Sequence, residues 1–247
     1  MAGTLREVLL VTDERFIEHD PGRRHPERPD RLRAALDGVD STGLAADLTR
    51  LAPRAATRSE LARVHDSDLI DLIESIDEAG GGRIDADTRM SEGSLEAGLH
   101  AAGAVLTAIE TLVERDEKAA YCVVRPPGHH ATPNRSMGFC LFNSVAVGAA
   151  ELVASGEKVA IVDIDAHHGN GTQDIFYADP SVLFASIHQF PLYPGTGALG
   201  ERGHGAGAGT NVNIPVPPGA TGDVALAAID DVIIPAIERF GPGWILV

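Results

Sequence analysis

The segment Val159-Ala-Ile-Val-Asp163-Ile-Asp165-Ala-His167-His168-Gly169 joins a short apolar run to a cluster of acidic and imidazole side chains. The apolar run predicts a strand covered on both faces, as in parallel sheets packed between helices. Alternate side chains of an extended chain share one face, so we expect Asp163, Asp165 and His167 to project together. Because open α/β sheets hold their ligands at the carboxyl ends of strands, this segment predicts a functional site.

The chemistry of this cluster suggests a metal. Two carboxylates held close together in a dry site repel each other unless a cation neutralises them. A carboxylate and an imidazole are suitable zinc ligands, which makes Asp165 and His167 candidates. The alternative is an acidic strand end paired with arginine, although one guanidinium would not satisfy two carboxylates and an imidazole. The two cysteines, Cys122 and Cys140, form no CxxC pair, which favours buried free thiols over a cysteine-based zinc site.

A second pair of histidines ends a similar segment, Tyr121-Cys-Val-Val-Arg-Pro-Pro-Gly-His129-His130. It also follows an apolar run, and its Pro-Pro-Gly turn stiffens the backbone before the histidines. Two neighbouring imidazoles beside a metal-activated water could share the duties of general base and general acid, since their pKa lies near working pH. The alternative, a pair of loop histidines satisfied by backbone groups, stays open.

Apolar runs alternate with helical patterns along the whole chain of 247 residues. The predicted strands are 8–11, 120–124, 159–162, 182–186 and 244–247. The predicted helices are one that follows Asp66-Ser67-Asp68 and ends at the glycines 80–82, then 91–114, 143–154 and 223–240, the last bent near Pro235. The Gly- and Pro-rich stretch 193–218 is expected to be a surface loop. We therefore predict a single α/β domain, residues 1–247, whose mostly parallel sheet carries helices on both faces.

The formal charge is −16, from 36 acidic and 20 basic residues. This excess argues against direct binding of nucleic acid, which depends on clustered Lys and Arg. It would favour cationic substrates through long-range steering, although adaptation to a salty cytoplasm explains it equally well. The chain has no apolar run long enough for a membrane helix and no signal-peptide pattern at its start, so a cytoplasmic protein without membrane association is expected. The sequence makes no prediction of oligomeric state.

Five segments together resemble the histone deacetylase superfamily, which includes acetylpolyamine amidohydrolases and acetoin-utilisation proteins. They are His25-Pro-Glu-Arg-Pro-Asp-Arg31, Arg125-Pro-Pro-Gly-His-His-Ala131, Gly138-Phe-Cys-Leu-Phe-Asn143, Asp163-Ile-Asp-Ala-His-His-Gly-Asn-Gly171 and Tyr193-Pro-Gly-Thr-Gly197. They occur in the family's order from near the N-terminus onward. The resemblance implies an arginase/deacetylase-like three-layer α/β fold.

The resemblance also assigns catalytic and metal roles. Asp165 and His167 match two of three zinc ligands, and His129 and His130 match the tandem catalytic histidines, the second being the usual general base. Asp163 matches the residue that orients His129 and, with the Ser186 side chain and nearby backbone oxygens, a structural potassium site. Asn170 matches the partner of the second histidine. Asparagine at this position is typical of the class II-related and bacterial members, and it should make the neighbouring imidazole less basic than aspartate would.

Further matches concern the substrate. Phe139 and Tyr193 match the aromatic walls of the tunnel for the acylated side chain, with Gly138 beside them. Asp87 matches, in a poorer local context, the acidic rim residue that grips the substrate backbone. Arg31 matches a residue of an internal channel behind the active site.

The resemblance thus implies a zinc-dependent deacetylase that hydrolyses the acetyl-amide bond of acetyl-lysine or of acetylated polyamines. The family's third zinc ligand, an aspartate beyond the strand 244–247, and its transition-state tyrosine are absent from the sequence. We therefore expect a C-terminally truncated chain that is inactive and poorly stable by itself. Two rival interpretations are a non-catalytic module that binds acetylated amines and a two-metal phosphoesterase, which zinc stoichiometry and turnover would distinguish.

Overall fold

The computed structural model of the chain describes residues 8–43, 48–115 and 119–247. The strands are β1 (Val8–Val11), β2 (Leu48–Leu51), β3 (Gly82–Arg83), β4 (Arg89–Met90), β5 (Ala119–Cys122), β6 (Val159–Asp163), β7 (Val182–Gln189), β8 (Asn211–Val216) and β9 (Trp244–Leu246). The helices are α1 (Asp30–Ser41), α2 (Arg58–Leu61), α3 (Ser67–Glu78), α4 (Ser94–Glu114), α5 (Ser144–Ala154), α6 (Asn170–Phe176), α7 (Gly222–Ala228) and α8 (Ile234–Phe240).

Parallel pairing dominates the sheets. One sheet has the order β2-β1-β5 and the other the order β8-β7-β6-β9, and every neighbouring pair in both is parallel. The short strands β3 and β4 form a separate antiparallel pair. Parallel strands need crossover connections, which the intervening helices supply. The predicted α/β class with a mostly parallel sheet is confirmed.

The core forms where β6 and β7 meet the helices before them. Ile73 of α3, Leu106 of α4, Val147 of α5 and Phe184 of β7 belong to one cluster and are at most 1% exposed. Burying side chains of this size stabilises the fold by about 1.5–3 kcal/mol each. This core packs against β6, whose carboxyl end leads into the Asp165 and His167 segment of the candidate site.

Two strands depart from the expectation that both faces are covered. Tyr121 of β5 is 51% exposed and Ile245 of β9 is 53% exposed. Each of these strands lies at the edge of its sheet. Continuous apolarity therefore indicated burial correctly for β6 and β7 but not for these edge strands.

The four predicted helices are present with shifted ends, whereas α1, α2 and α6 were not predicted. Helix α4 begins at Ser94 rather than Ser91, because Gly93 before it adopts a positive φ of 84° that cannot continue a helix. Helix α5 begins after Asn143, whose side chain accepts a hydrogen bond from the Ala146 N–H. The bend expected near Pro235 takes the form of a π-helical turn, Ile229–Ile233, between α7 and α8.

The prediction of a loop over 193–218 is wrong at its end, where β8 pairs with β7. The segment Asn211-Val-Asn-Ile-Pro-Val216 alternates in polarity, and β8 is the edge strand of its sheet, where a proline such as Pro215 is tolerated. Asn211 and Asn213 are buried, and both donate to the Gln173 side-chain carbonyl. Polar residues in this segment therefore did not indicate exposure to solvent.

Other expectations concern the thiols and the membrane. Cys140 is buried, Cys122 is half-buried, and both are free. Burial raises the pKa of both thiols, that of Cys122 to about 12. Among the helices described, none combines the length and apolarity needed to cross a membrane. Residues 1–7, part of the stretch in which a signal peptide was sought, lie outside the described ranges.

Candidate active site

A cavity of about 750 Å³ opens beside the loops that follow β5 and β6. It is lined by most of the residues singled out in the sequence: Asp87, His129, His130, Gly138, Phe139, Asp165, His167 and Tyr193. Asp163 and Asn170 stand behind this lining, each bonded to one histidine of the tandem pair. The fold therefore gathers residues from four separate segments around one space.

The backbone after β6 does not stay extended, and the predicted alternation is wrong beyond Asp163, where the strand ends. The Asp163 carboxylate accepts the Asp165 N–H at 3.1 Å, and the Asp165 carboxylate accepts the His167 N–H at 2.7 Å. An Asp side chain that bonds the backbone two residues on replaces a strand with a turn. Two such turns in succession still leave Asp165 and His167 on the cavity wall.

Asp165 and His167 are the candidate metal donors. The His167 Nδ1 atom lies 3.0 Å from the Asp165 Oδ1 atom, with the two side chains 44% and 52% exposed. Burial alone would raise the pKa of Asp165, but the His167 N–H bond and the nearby His129 charge outweigh it and lower that pKa. An ionised carboxylate beside an imidazole nitrogen suits zinc in chemistry. Catalytic zinc uses three protein ligands, however, and the described ranges contain no group of three His, Cys, Asp or Glu arranged for a metal.

The tandem histidines lie side by side, with ring centroids 4.0 Å apart. His129 Nδ1–H donates to the Asp163 carboxylate at 2.8 Å, and His130 Nδ1–H donates to the Asn170 side-chain carbonyl, also at 2.8 Å. Because both partners accept at these atoms, each Nδ1 carries the proton. The Nε2 atom of each ring is left for proton transfer.

The two partners differ in charge, and the two imidazoles differ accordingly. Burial would lower the pKa of His129, but the hydrogen bond and charge of Asp163 outweigh it and raise that pKa. Burial, followed by the charge of neighbouring His129, lowers the pKa of His130 to about 4. The neutral Asn170 bond offsets this only in part. The pair therefore holds one imidazole whose partner favours its protonated form and one that is neutral at neutral pH.

Two glycines allow the close packing around these rings. A Cβ atom at Gly138, whose φ is 58°, would lie 2.4 Å from His130 Cδ2. A Cβ atom at Gly171 would lie 2.2 Å from the Ala131 carbonyl oxygen. The absence of a side chain at Gly171 lets the first turn of α6 donate its N–H groups to the His129 carbonyl at 2.9 and 3.2 Å. Both positions require glycine for steric reasons.

The walls of the cavity carry aromatic and acidic side chains. Tyr193 stands perpendicular to His130 with ring centroids 5.1 Å apart, and Phe139 lies edge-on to His25 at 4.5 Å. Burial and the neighbouring Asp85 carboxylate raise the pKa of Asp87. Asp87 thus lies on the lining as the sequence suggested, despite its poorer motif.

Ser186 and Asp163 are direct register partners in β7 and β6. The Ser186 hydroxyl is fully buried and lies 3.0 Å from His188 Nδ1, while both Asp163 oxygens already accept hydrogen bonds. The structure places the two residues together, and their role as potassium ligands stays a prediction.

Sequence reasoning missed several supporting residues. Buried Arg125 donates to both Glu27 oxygens at 2.6 and 2.5 Å, which anchors the chain just before the Pro-Pro-Gly turn. Buried His168 bonds Thr196 and Gln173, and Gln173 donates to Glu201, which connects the loop around Tyr193 to α6. Arg31, matched to an internal channel, lines the same cavity as the tandem histidines. The charged residues of the 25–31 motif were the signal in the sequence that pointed to these contacts. The sequence did not show which residue each of them would contact.

Thr88 was also missed, because a threonine between charged residues has no chemical signature of its own. It is fully buried, and its hydroxyl bonds both Asp87 and the Phe139 backbone.

Comparison with known proteins supports this geometry. Residues 25–247 match the histone deacetylase domain. A probable deacetylase of Archaeoglobus fulgidus is 39% identical over 241 residues, covering 96% of this chain and 67% of that protein. A histone deacetylase-like amidohydrolase of Pseudomonas aeruginosa is 37% identical, covering 94% of this chain and 62% of that protein. The crystal structure of the HDA15 HD domain superposes with a TM-score of 0.92 at 37% identity, covering 97% of this chain and 70% of that one. The chain therefore belongs to the histone deacetylase family, a family of hydrolases that act on amides.

Proposed function

We propose that this protein is a zinc-dependent deacetylase that hydrolyses the acetyl-amide bond of acetyl-lysine or of acetylated polyamines. The observation that carries the proposal is the tandem pair His129 and His130, bonded to a carboxylate and to an amide respectively, beside the donors Asp165 and His167. Such a pair offers a proton acceptor and a proton donor at one wall of a cavity, which amide hydrolysis requires.

The different roles of His129 and His130 follow from the charge of the group bonded to each Nδ1 atom. Neutral His130 takes the proton of the attacking water at Nε2. His129, whose protonated form the Asp163 carboxylate favours, stabilises negative charge on the acetyl oxygen and supplies the proton that the leaving amine needs. Asp163 keeps the His129 ring oriented through its Nδ1 bond. Asp165 and His167 would hold zinc, which when bound would supply Lewis acidity for the hydrolysis of the amide.

The substrate class rests on the cavity walls and the overall charge. The rings of Phe139 and Tyr193 suit the methylene chain of an acylated amine, and the Asp87 carboxylate suits an N–H donor or a cation at the mouth. The formal charge of −16 supports cationic substrates and does not support direct contact with nucleic acid. Acetyl-lysine peptides and acetylpolyamines share these features, and we propose that they are met in the cytoplasm.

The zinc assignment is tested by two substitutions. Asp165→Ala should lose both zinc and turnover, because one of the donors is gone. His130→Ala should keep zinc and lose turnover of an acetyl-lysine reporter. Zinc per chain is measured by elemental mass spectrometry, with Asp223→Ala at the exposed start of α7 as the control. Full zinc content in Asp165→Ala would contradict the assignment.

A non-hydrolysing module that binds acetylated amines remains the second candidate, favoured by the count of two metal donors in the described ranges. An acetyl-lysine peptide that binds with no turnover by the zinc-loaded protein would establish it. A two-metal phosphoesterase needs further ligands that bridge metals about 4 Å apart, and the described ranges offer none.

A further inference from the structure

A hydrogen-bond relay through a buried hydroxyl joins two neighbouring parts of the cavity wall. The Phe139 N–H donates to the Thr88 hydroxyl at 3.1 Å, and that hydroxyl donates to the Asp87 carboxylate at 3.1 Å. One hydroxyl thus acts as acceptor toward the aromatic wall and as donor toward the acidic rim. Since Thr88 is fully buried, water cannot replace either bond without entering the wall.

His25 joins the same two residues a second time. Its Nδ1 accepts the Glu27 N–H at 3.2 Å, so its Nε2–H is the donor to the Asp87 backbone carbonyl at 2.9 Å. The same ring packs edge-on against Phe139 at 4.5 Å. Asp87 and Phe139 are therefore connected both through Thr88 and through His25.

Phe139 needs such support because of its backbone. Its φ is 70°, and among the described residues it is the one non-glycine residue with a positive φ. A bulky side chain in this region is strained and persists where its surroundings hold it. The residue before it, Gly138, also has a positive φ, of 58°, and leaves no room for a side chain beside His130. The Thr88 hydroxyl accepts the Phe139 N–H and so helps to hold this strained residue in place.

We propose that Thr88, with His25, is a positioning residue that ties the Asp87 rim to the Phe139 wall and so fixes the position of both beside the channel that admits the acylated side chain. The proposal rests on the proposed function for the identity of what enters the channel. It adds a determinant of substrate affinity that touches no reacting atom. Its loss should raise KM, while kcat, which depends on the tandem histidines, stays close to that of the unaltered protein.

The kinetic test compares Thr88→Val, which removes the hydroxyl at nearly constant shape, with Thr88→Ser, which keeps it. With the zinc-loaded protein and an acetyl-lysine reporter, Thr88→Val should raise KM about tenfold, because a buried N–H is left without an acceptor. Thr88→Ser should stay within about twofold by the same reasoning. In a Phe139→Ala background the effect of Thr88→Val on KM should largely disappear. Equal KM values for Thr88→Val and the unaltered protein, or an undiminished effect in that background, would overturn the proposal.

Amide hydrogen exchange tests the relay without turnover. In Thr88→Val, exchange in the peptide covering 136–142 should accelerate at least about tenfold, and in Thr88→Ser it should not. Thr111→Val, which removes a hydroxyl bonded to the Thr107 carbonyl within α4, is the matched control and should change neither readout. Thr88→Ala removes the same hydroxyl if valine prevents folding. Absence of both zinc binding and reporter turnover in the unaltered protein would reject the proposed function, while unchanged exchange in Thr88→Val would reject the relay whether or not the reporter is turned over.

Discussion

At the residue scale, the two neighbouring histidines differ in one respect, the group bonded to Nδ1. Asn170→Asp exchanges the neutral partner of His130 for a charged one of the same shape. We expect the pKa of His130 to rise by one unit or more above its present value of about 4, because an adjacent carboxylate favours the imidazolium. Histidine NMR titration of the metal-free protein measures it, with His65 as an internal control that should not move. An unchanged pKa of His130 in Asn170→Asp would show that the residue at position 170 does not set the basicity of this imidazole.

His65 gives a second prediction at this scale, of stability against pH. Its Nδ1–H donates to the Thr132 carbonyl and its Nε2 accepts the Asn143 N–H, so the folded ring is neutral. Burial lowers its pKa to about 4. Because the unfolded chain binds this proton at about pH 6.5, the stabilisation is complete above that pH. As the pH falls toward 4 this stabilisation is lost. The complete loss lowers the free energy of unfolding by about 3 kcal/mol.

His65→Gln should therefore be less stable than the unaltered protein at neutral pH, with a difference that shrinks on acidification. Urea unfolding between about pH 7 and pH 4.5 measures the free energy of unfolding for both. Parallel pH curves would show that His65 does not contribute to acid sensitivity.

At the element scale, α6 depends on Gly171. Gly171→Ala places a methyl group 2.2 Å from the Ala131 oxygen and must push the helix away from the His129 carbonyl. We expect a loss of about 2 kcal/mol or more, seen as a fall in Tm of several degrees. Gly222→Ala is the matched control, since its Cβ meets nothing within 4 Å at the start of α7. It should be neutral or slightly stabilising. Equal Tm values for the two variants would show that α6 tolerates displacement.

The elements also show what the sequence could and could not predict. Apolar runs in the sequence identified β1, β6 and β7, because a strand that is buried on both faces is apolar at nearly every position. β8 was missed because its asparagines are buried and paired with Gln173, a contact between distant segments that no local pattern reveals. The motifs predicted which residues line the cavity. The partners that tune them, such as Thr88 for Phe139, depend on tertiary contacts and emerged with the fold.

At the scale of the whole molecule, the charge of −16 should act on encounter with substrate. We expect kcat/KM for a cationic acetyl-lysine peptide to exceed that for an anionic one, and the ratio to fall as salt rises. Steady-state kinetics at low and high ionic strength with both peptides measure it. A ratio that is independent of salt would favour adaptation to a salty cytoplasm as the origin of the charge.

The two weakly acidic thiols, one buried and one half-buried, leave the native protein with little reactivity toward thiol-labelling reagents. With a pKa of about 12 for Cys122, and one raised by burial for Cys140, the thiolate fraction at neutral pH is negligible. Maleimide dyes and nitroxides should therefore leave both untouched. A single cysteine introduced at exposed Leu199 would then carry the label alone and report how the segment beside Gly197 moves when a substrate enters.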